Sequence, residues 1–505
     1  MKYILIIFFV FLFSFNVISC SSKDGDSSST STASTASDNK TTVCLSSSIS
    51  TSQLARSSND YAHGVAIDSS GNVYVARGTN GGLDGNTNAG NTDLFVIKYN
   101  SSGTKQWTNQ LGSSSRDSAN GVATDLSGNV YVTGMTNGEL DGCKSAGVED
   151  LFVVKYNSSG TKQWTNQLGS SSRDSANGVA TDSSGNVYVT GTTYWELDGN
   201  TSAGKADLFV VKYNSSGTKQ WTKQLGTEKI DEARGVSTDS SGNVYVTGYT
   251  DGGLDGNNSA GRSDLFVVKY NSSGTKQWTK QLGTEDSDFA NGVATDSSGN
   301  VYVTGTTYRN LDGNTNEGNA DLFVVKYNSS GTKQWTKQLG SSSRDYANGI
   351  VTDSSGSVYV SGTTYGGLDG NTSAGNADLF VVKYYDNGTK QWTKQLGTSS
   401  TDTANGVATD SSGNVYVAGG TYGGLDGNTN AGDNDLFVVK YNSSGTKQWT
   451  KQMGTSSTDT ANGVATDSSR NVYVSGDTHR GLDNNTNAGS NDLFVVKYNS
   501  SGTKQ

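Results

Sequence analysis

Apolar residues occur along most of the chain in short runs separated by turn residues. In one representative stretch the runs cover 65–67, 72–75 and 94–99, and a fourth run at 104–111 alternates apolar and polar residues around Trp107. Asp, Asn, Ser and Gly occupy the positions between the runs, and these residues favour tight turns. The apolar positions do not recur at the spacing of a helix face, so the pattern predicts four short β-strands.

This four-strand pattern repeats every 57 residues without insertion or deletion. Tryptophan marks the period, and residues 50–54 align with residues 107–111 one period later. Residues 50–505 therefore hold eight whole periods. The marker residues are Trp107, Trp164, Trp221, Trp278, Trp335, Trp392 and Trp449. We expect them to pack within and between the repeats.

Four-stranded units at a fixed period predict an all-β fold, an eight-bladed β-propeller, because each blade can bury its faces only against its neighbours. The last period supplies three strands before the chain reaches Gln505. We expect residues 50–54 to provide the fourth strand of that blade and so to close the ring. An open β-solenoid and a division into two domains are the alternatives.

Two segments of the period resemble the SBBP repeats of bacterial β-propeller proteins. They are Gly-Asn-Val-Tyr-Val-Thr-Gly at 185–191 and Asp-Leu-Phe-Val-Val-Lys-Tyr at 207–213, and similar segments recur through residues 50–505. The resemblance implies a propeller in an exported protein. The family is named for seven blades, whereas this chain has eight periods. The resemblance implies no catalytic residues, and a shared fold does not by itself assign a function.

The first 19 residues have the features of an export signal. Lys2 provides a positive charge, and residues 3–15 form an apolar stretch that is short for a membrane span. The run Val17-Ile18-Ser19-Cys20 resembles the lipobox of bacterial lipoproteins, which implies cleavage before Cys20 and lipidation of its thiol. A plain signal peptide that is cleaved nearby and an uncleaved anchor are the alternatives.

Residues 20–49 are rich in Ser and Thr and contain few large apolar side chains. Such a segment cannot bury enough surface to fold, so we expect a flexible tether. The chain then divides into a signal peptide at 1–19, a lipidated tether at 20–49 and a propeller at 50–505. We expect a cell-envelope protein held by lipid on a bacterial membrane, with the outer membrane favoured and the propeller in the periplasm or at the surface.

Charge and cysteine content exclude several classes of protein. The chain has 37 basic and 47 acidic side chains and no basic run that could neutralise the phosphates of nucleic acid. Its three cysteines are too few for a disulfide framework or a cysteine-based zinc site. We expect Cys44 and Cys143 to be free thiols, the protein to be a monomer, and the N-terminal lipid to be its only membrane contact.

Strand order predicts where a ligand would bind. In a blade that runs outward from the axis, the loops from the second to the third strand and from the fourth strand to the next blade share one face, here called the long-loop face. The Asp-Ser-Ser-Gly and Asn-Ser-Ser-Gly turns share the opposite face, the tight-turn face. Two positions of the long loops vary among the copies, and exposed aromatic residues on rigid loops favour binding of a protein or a glycan. Drift at unconstrained positions is the alternative. The candidate ligand-binding residues are Tyr61, Tyr194, Trp195, Phe289, Tyr308, Tyr346, Tyr365 and Tyr422.

The long loop also carries a recurrent acidic pattern. Oxygen-bearing side chains at alternate positions, followed by a later carboxylate, suit a hard cation such as calcium, the one cofactor that the sequence suggests. The match to an EF-hand loop is partial, because Gly falls at the seventh position and no bidentate Glu follows. Turn formation by the Asp and Asn side chains is the alternative. The candidate ligands are Asp84, Asn86, Asn88, Asp93, Asp312, Asn314, Asn316, Asp321, Asp426, Asn428, Asn430 and Asp435.

Catalytic signals are sparse. The chain contains only His63 and His479, and neither recurs in the other copies. A carboxylate pair such as Asp231 and Glu232 would suit a glycan-active hydrolase or lyase, although we expect Asp231 to be a solvated loop acid. The sequence therefore favours a non-catalytic binding or display module, with a glycan-active enzyme and a purely structural surface protein as alternatives.

Overall fold

The computed structural model describes residues 51–54, 64–487 and 489–505. The predicted signal peptide and tether, with Cys20 and Cys44, lie outside these ranges, and so do Tyr61 and His63. Within the described ranges the chain forms 32 β-strands and seven single-turn 3₁₀ helices.

The strands follow one another in eight similar groups. After β1 (Thr51–Leu54), blades 1 to 4 contain β2 (Gly64–Ile67), β3 (Val73–Thr79), β4 (Asp93–Tyr99), β5 (Lys105–Leu111), β6 (Asp117–Thr124), β7 (Val130–Thr136), β8 (Asp150–Tyr156), β9 (Lys162–Leu168), β10 (Asp174–Thr181), β11 (Val187–Thr193), β12 (Asp207–Tyr213), β13 (Lys219–Leu225), β14 (Asp231–Thr238), β15 (Val244–Thr250), β16 (Asp264–Tyr270) and β17 (Lys276–Leu282).

Blades 5 to 8 continue the same order. They contain β18 (Asp288–Thr295), β19 (Val301–Thr307), β20 (Asp321–Tyr327), β21 (Lys333–Leu339), β22 (Asp345–Thr352), β23 (Val358–Thr364), β24 (Asp378–Tyr384), β25 (Lys390–Leu396), β26 (Asp402–Thr409), β27 (Val415–Thr421), β28 (Asp435–Tyr441), β29 (Lys447–Met453), β30 (Asp459–Thr466), β31 (Val472–Thr478) and β32 (Asp492–Tyr498). The 3₁₀ helices in the long loops are Leu83–Gly85, Leu140–Gly142, Leu254–Gly256, Leu311–Gly313, Leu368–Gly370, Leu425–Gly427 and Leu482–Asn484.

Each blade is an antiparallel sheet, and the strands of blades 1 to 7 lie in chain order from the axis outward, whereas blade 8 has the order β30, β31, β32 and then β1. The inner strands of neighbouring blades contact one another, and β30 of blade 8 contacts β2 of blade 1. The ring is therefore closed, and the predicted eight-bladed propeller of four-stranded blades is confirmed.

The N-terminal strand β1 is the fourth strand of blade 8. It pairs antiparallel with β32, from Thr51 opposite Val496 to Leu54 opposite Leu493. The side chain of Gln53 accepts a hydrogen bond from the Leu482 N–H at 2.7 Å, as Gln110 does from the Leu83 N–H in blade 1. This confirms the predicted closure, because β1 makes the contacts of an ordinary fourth strand.

The second strand of each blade is longer than the apolar pattern predicts. In blade 1 the apolar run ends at Val75, whereas β3 continues to Thr79 and pairs with β4 along its whole length. The additional residues include Gly78 and Thr79, which bury little apolar surface and so leave no hydrophobic signal in the sequence. The loop that follows, 80–92, is correspondingly shorter than predicted.

The core lies between the blades. Tyr131 and Leu151 of blade 2 pack against Val187 and Phe209 of blade 3 in one buried cluster, and similar clusters fill the other junctions. Each side chain of this size contributes about 1.5–3 kcal/mol when it is fully buried. Every residue of the third strand is buried, because that strand has a neighbouring blade on both faces.

Polar contacts also join successive blades. The hydroxyl of Tyr131 lies 2.9 Å from Asp125 Oδ2 in its own blade and 3.1 Å from the Gly185 carbonyl of the next blade. Lys155 Nζ donates to the Ser215 carbonyl of that blade at 2.7 Å. Because these contacts recur around the ring, the loops of both faces are carried by a rigid scaffold.

Candidate binding site on the long-loop face

Backbone hydrogen bonds fix the first residue of each long loop. The N–H of Tyr365 donates to the Arg344 carbonyl at 2.9 Å, and the N–H of Tyr422 donates to the Thr401 carbonyl at 3.0 Å. Arg344 and Thr401 directly precede the inner strands of their blades. The exposed tyrosines therefore leave the scaffold at equivalent points of successive blades.

A buried aspartate holds each of these junctions together. In blade 5, Asp288 is fully buried and accepts hydrogen bonds from the Thr284 N–H at 2.6 Å and from the Thr307 hydroxyl. Burial raises the pKa of Asp288 to about 6, although these hydrogen bonds oppose the shift. Thr307 immediately precedes Tyr308, so the aspartate also helps to position that tyrosine.

The second variable series lies in the inner strands, whereas the sequence pattern placed it in the long loops. Phe289 is the second residue of β18, and Tyr346 is the second residue of β22. The inner strand begins early because the Asp288 N–H donates to the Ser263 carbonyl at 2.7 Å, beside a parallel bridge to the preceding blade. Phe289 and Tyr346 nevertheless contact the loop tyrosines.

Five aromatic side chains of the long-loop face form a row across blades 4, 5 and 6. We call Tyr249, Phe289, Tyr308, Tyr346 and Tyr365 the aromatic arc. The ring centroids of Tyr249 and Phe289 are 5.0 Å apart and those of Phe289 and Tyr308 are 6.4 Å apart; these two pairs and the Tyr346–Tyr365 pair meet edge to face. Tyr308 is close enough to Tyr346 to interact with its phenol electrostatically, and the Tyr346 and Tyr365 centroids are 6.1 Å apart. Such pairs stabilise a fixed arrangement of rings beyond simple burial.

Tyr346 is the half-buried centre of this row. Burial is the largest cause of its raised pKa, and the neighbouring Tyr308 hydroxyl raises the pKa further. The Arg344 guanidinium opposes the shift. The phenol of Tyr346 therefore stays protonated at neutral pH and remains able to donate a hydrogen bond.

An arginine completes one end of the arc. The guanidinium of Arg234 lies 4.8 Å from the ring centroid of Tyr249 and 5.4 Å from that of Phe289. Its Nε donates to Glu232 Oε1 at 3.0 Å, and its Nη1 donates to Asn291 Oδ1 at 2.9 Å. The positive charge thus contacts both rings and is paired with a carboxylate.

Sequence analysis missed Tyr249 and Arg234. Most other copies have a small or polar residue such as Thr306 or Thr363 at the Tyr249 position, and Asn at the Arg234 position. A comparison of every repeat position, not only of the loops, would have found both departures. Both residues lie in strands, whereas the variable positions of the sequence were sought in the loops.

Other predicted ligand-binding residues lie on the same face beyond the arc. Tyr194 and Trp195 of blade 3 are 46% and 54% exposed, and Tyr422 of blade 7 is 50% exposed. Each follows the second strand of its blade and belongs to the long loop. The exposed aromatic surface therefore extends from blade 3 to blade 7.

The predicted calcium ligands have protein partners in the loop. Asp84 pairs with Lys105 Nζ at 2.6 Å, and Asn86 Nδ2 donates to the Leu83 carbonyl at 2.8 Å. Asp93 Oδ2 accepts hydrogen bonds from the Ala89 N–H at 2.8 Å and from Gln110 Nε2 at 2.9 Å. Asn88 Nδ2 donates to the Gly90 carbonyl. These contacts give the loop its shape, and the calcium prediction still needs a binding experiment.

The other copies repeat this arrangement. Asp312 and Asp426 are bonded to the lysine of the fourth strand, Asn314 and Asn428 to the preceding leucine carbonyl, Asn316 and Asn430 to a glycine carbonyl, and Asp321 and Asp435 to a backbone N–H and a glutamine. Within residues 51–54, 64–487 and 489–505, no three His, Cys, Asp or Glu side chains are arranged to hold a metal ion.

The candidate catalytic carboxylates have separate structural roles. Asp231 is fully buried, so the expectation of a solvated acid is wrong, and it accepts hydrogen bonds from the Thr227 N–H at 2.6 Å and from the Thr250 hydroxyl. Glu232 is paired with Arg234 and accepts a hydrogen bond from the Tyr249 hydroxyl at 3.1 Å. Asp231 is buried because it is the first residue of β14, where its carboxylate accepts the hydrogen bonds that hold the junction between blades together.

The tight-turn face holds a cavity of about 450 Å³ where the inner strands of blades 8, 1, 2 and 3 end. Its acids are engaged by their own turns. Asp182 Oδ1, for example, accepts from the N–H groups of Ser184 at 2.9 Å and Asn186 at 3.0 Å. Leu126 projects beside the cavity and is 70% exposed. Aromatic side chains near the turns of this face, such as Trp164 and Tyr131, pack in the junctions between blades.

Cys143 is a half-buried free thiol in the part of the chain that the structure describes, and burial raises its pKa. It occupies the loop position that Asn86 holds in blade 1. Across the described ranges, no helical segment has the length and apolar character that crossing a lipid bilayer requires.

The sequence profile of the SBBP β-propeller repeat family matches the chain in all eight periods. The matched residues are 51–84, 106–141, 163–194, 220–255, 277–312, 334–369, 391–426 and 448–483. Together they make up more than half of the chain.

Two curated proteins are similar to the chain over most of its length. The uncharacterized WD repeat-containing protein L264 of Acanthamoeba polyphaga mimivirus is 23% identical over 73% of this chain and 36% of its own length. The regulatory protein FlaEY of Caulobacter vibrioides is 26% identical over 65% of this chain and 39% of its own length. The chain thus spans well under half of either relative.

Among solved structures, the crystal structure of Sqt1 from Saccharomyces cerevisiae is similar to this chain. It is 9% identical, and the match covers 88% of this chain and 98% of that chain with a TM-score of 0.50. At this level of identity the likeness concerns the fold alone.

Proposed function

Because the chain belongs to the SBBP β-propeller repeat family, whose fold can present loops around a rigid ring, we propose that it is a non-catalytic binding module that takes its ligand on the long-loop face. The ligand is a protein or a glycan outside the chain. The observation that carries the proposal is the aromatic arc together with the exposed Tyr194, Trp195 and Tyr422.

The arrangement of the rings supports binding over drift. Unconstrained positions would vary independently, whereas the arc residues of three successive blades form ring pairs with centroids 5.0 to 6.4 Å apart. Large aromatic residues held rigidly at a surface lose little conformational entropy when a ligand binds. They are also the residues that contribute most to the affinity of protein interfaces.

The carboxylates of this face support a non-catalytic role. An acid–base pair needs two carboxylates that both reach the substrate, with pKa values set apart by their surroundings. Asp231 is buried under the junction, and Glu232 is bound to Arg234 and Tyr249. In this proposal both serve to position the loops and the arc.

The proposal places the protein in the cell envelope, held on a bacterial membrane by lipid on Cys20. Its support is the N-terminal sequence, in which the apolar stretch precedes Val17-Ile18-Ser19-Cys20. Metabolic labelling with palmitate tests this part: the full chain should incorporate label, and the Cys20→Ala variant should not. Unlabelled wild-type protein would contradict the lipid anchor.

The binding proposal is tested with the full chain on a glycan array and against a displayed random peptide library. Ligands selected by the wild type should bind at least tenfold more weakly to a variant that carries Tyr308→Ala, Tyr365→Ala and Tyr422→Ala. The matched control carries Leu126→Ser and Tyr385→Asn on the tight-turn face, where both changes restore the residue common to other copies.

The control variant should bind like the wild type. The proposal is wrong if the triple variant keeps its affinity, or if the tight-turn control alone loses it. Turnover of an array glycan that is lost on Glu232→Gln would instead support the enzyme alternative.

A further inference from the structure

Tyr346 and Thr403 occupy the same place in successive blades. Each is the second residue of an inner strand, and Thr403 lies opposite Gly420 as Tyr346 lies opposite Thr363. The first residues of two long loops flank this position, one from its own blade and one from the preceding blade. In the described blades 2 to 8, the propeller therefore repeats one surface site and fills it with different side chains.

In blade 6 the ring of Tyr346 fills the site. It lies between Tyr308 of the preceding blade, with which its phenol interacts electrostatically, and Tyr365 of its own blade at 6.1 Å. The ring of Tyr346 meets that of Tyr365 at 86°. The chain itself thus shows which group fits between two loop tyrosines: a phenol ring, edge to face with one of them and close to the hydroxyl of the other.

In blade 7 the same site contains Thr403, which has no ring. The walls are Tyr365 and Tyr422, whose N–H groups make equivalent hydrogen bonds at 2.9 and 3.0 Å, so their backbones are placed alike. Tyr365 is 43% exposed and Tyr422 is 50% exposed, whereas Tyr308, beside the filled site, is more covered. We call the space above Thr403 between these two tyrosines the Thr403 slot.

Among the described blades, blade 7 alone has tyrosine at both flanking loop positions and a small residue at the strand position between them. The site in blade 5 is filled by Phe289 and has Asp251 as one wall. The site in blade 8 has Thr460 at the strand position, but one of its two flanking loop residues is His479. The Thr403 slot alone in the described repeats therefore reproduces the walls around Tyr346 without a ring between them.

We propose that the Thr403 slot binds an aromatic side chain, tyrosine above all, presented by a partner polypeptide. This inference rests on the proposed function and names the ligand class of the long-loop face. The bound ring takes the place that Tyr346 takes in blade 6, edge to face with Tyr422 and with its hydroxyl toward the hydroxyl of Tyr365. That geometry uses the quadrupole of a second aromatic ring, which a sugar ring lacks.

The test uses N-acetyl-tyrosinamide as the probe and saturation-transfer NMR on the full chain. The wild type should transfer saturation to the ring protons of the probe, with a Kd on the order of 1 mM for so small a ligand. Thr403→Tyr should weaken binding at least tenfold, because the new ring fills the slot. Ser175→Tyr, a similar change at the equivalent position of blade 3, whose site shares neither tyrosine with the Thr403 slot, should leave binding unchanged.

A gain-of-function variant keeps the inference testable if Thr403→Tyr does not fold. Tyr346→Thr should open a second slot between Tyr308 and Tyr365 and double the amount of probe bound at saturation. A wild type that binds no probe, or a Thr403→Tyr variant that binds as the wild type does, overturns the inference. The inference also fails if the tyrosine probe does not bind while N-acetylchitotriose binds and Thr403→Tyr abolishes that binding.

These outcomes separate the two proposals. If the alanine variant of the three tyrosines loses its array ligand while Thr403→Tyr keeps it, the long-loop face binds its ligand elsewhere. The proposed function then stands and the slot inference fails. If the array ligand is insensitive to both variants, the proposed function fails as well.

Discussion

The indole ring of Trp164 in blade 2 lies directly against the backbone of Gly217 in blade 3. A Cβ atom on Gly217 would lie 2.7 Å from the ring, and Gly217 has a φ of +86° that side chains rarely adopt. The ring also packs against Tyr131 and Tyr213 at 6.0 and 6.1 Å. The marker tryptophan of each repeat thus requires glycine in the turn of the next blade.

Gly217→Ala should therefore destabilise the propeller by about 2–4 kcal/mol, because backbone strain adds to a clash with a packed ring. Gly199→Ala is the matched control, since Gly199 also has a positive φ of +75° but nothing lies within 4 Å of its Cβ position. We expect about 1 kcal/mol there. Urea unfolding of both variants measures the difference, and equal losses would show that the indole contact contributes nothing.

The buried junction aspartates should make the fold more stable in mild acid than at neutral pH. Burial raises the pKa of Asp288 from 3.8 to about 6, so the folded chain holds a proton that the unfolded chain releases. This contribution to the free energy of unfolding is complete below the pKa of the unfolded chain, 3.8, and is lost as the pH rises through about 6. Burial also raises the pKa of the corresponding aspartates, which are Asp117, Asp174, Asp231, Asp345, Asp402 and Asp459.

We expect the melting temperature to rise between pH 7 and pH 5, and Asp288→Asn to flatten that rise because the amide does not titrate. The readout is the slope of melting temperature against pH, since the amide also disturbs the hydrogen bonds from Thr284 and Thr307. Asp286→Asn, which changes the same charge in the neighbouring loop, is the control. A melting temperature that falls from pH 7 to pH 5 would refute this account.

The closing strand β1 should be the weakest point of the ring, because four residues hold it. Gln53→Ala removes two hydrogen bonds: the Leu482 N–H donates to Gln53 Oε1 at 2.7 Å, and Gln53 Nε2 donates to Asp492 Oδ2 at 2.6 Å. Hydrogen exchange of β32 should then accelerate at least tenfold, because its pairing with β1 opens more often. Gln281→Ala removes the same contacts inside blade 4, whose outer strand has seven residues.

Exchange of β16 in the Gln281→Ala variant should change much less than exchange of β32 in Gln53→Ala. Equal acceleration at both sites would mean that the covalent continuity of an ordinary blade gives no protection, and that closure by β1 is as firm as any other pairing.

Chelation of calcium should leave the fold intact if the acidic loops are turn structures. The carboxylate of Asp312 is bonded to Lys333 and to the Thr336 hydroxyl at 2.6 Å, and Asp321 accepts a hydrogen bond from Gln338 at 2.8 Å. We expect the melting temperature to change by less than about 2 °C between chelator and millimolar calcium. Calorimetric titration that finds several bound equivalents and a large rise in melting temperature would make these loops metal sites.

Much of this fold was accessible from the sequence. The 57-residue period, the four apolar runs and the turn residues predicted the blades, because strand alternation and tight turns depend on local chemistry. The alignment of residues 50–54 with residues 107–111 predicted the closure. Strand ends were less accessible: Gly78 and Thr79 extend β3 through backbone pairing alone, and the Asp288 N–H starts β18 through a bond to the preceding blade.

The sequence by itself determined the number of blades, the two faces of the ring and the aromatic character of the long-loop positions, since each follows from the repeat pattern. Only the tertiary structure decided which rings meet. The arc joins Tyr249, Phe289 and Tyr346 across residues nearly 100 positions apart, because neighbouring blades bring equivalent strand ends together at one surface. The same packing hides Asp231 and leaves Thr403 between two exposed tyrosines, and neither relation is encoded in any local stretch of the chain.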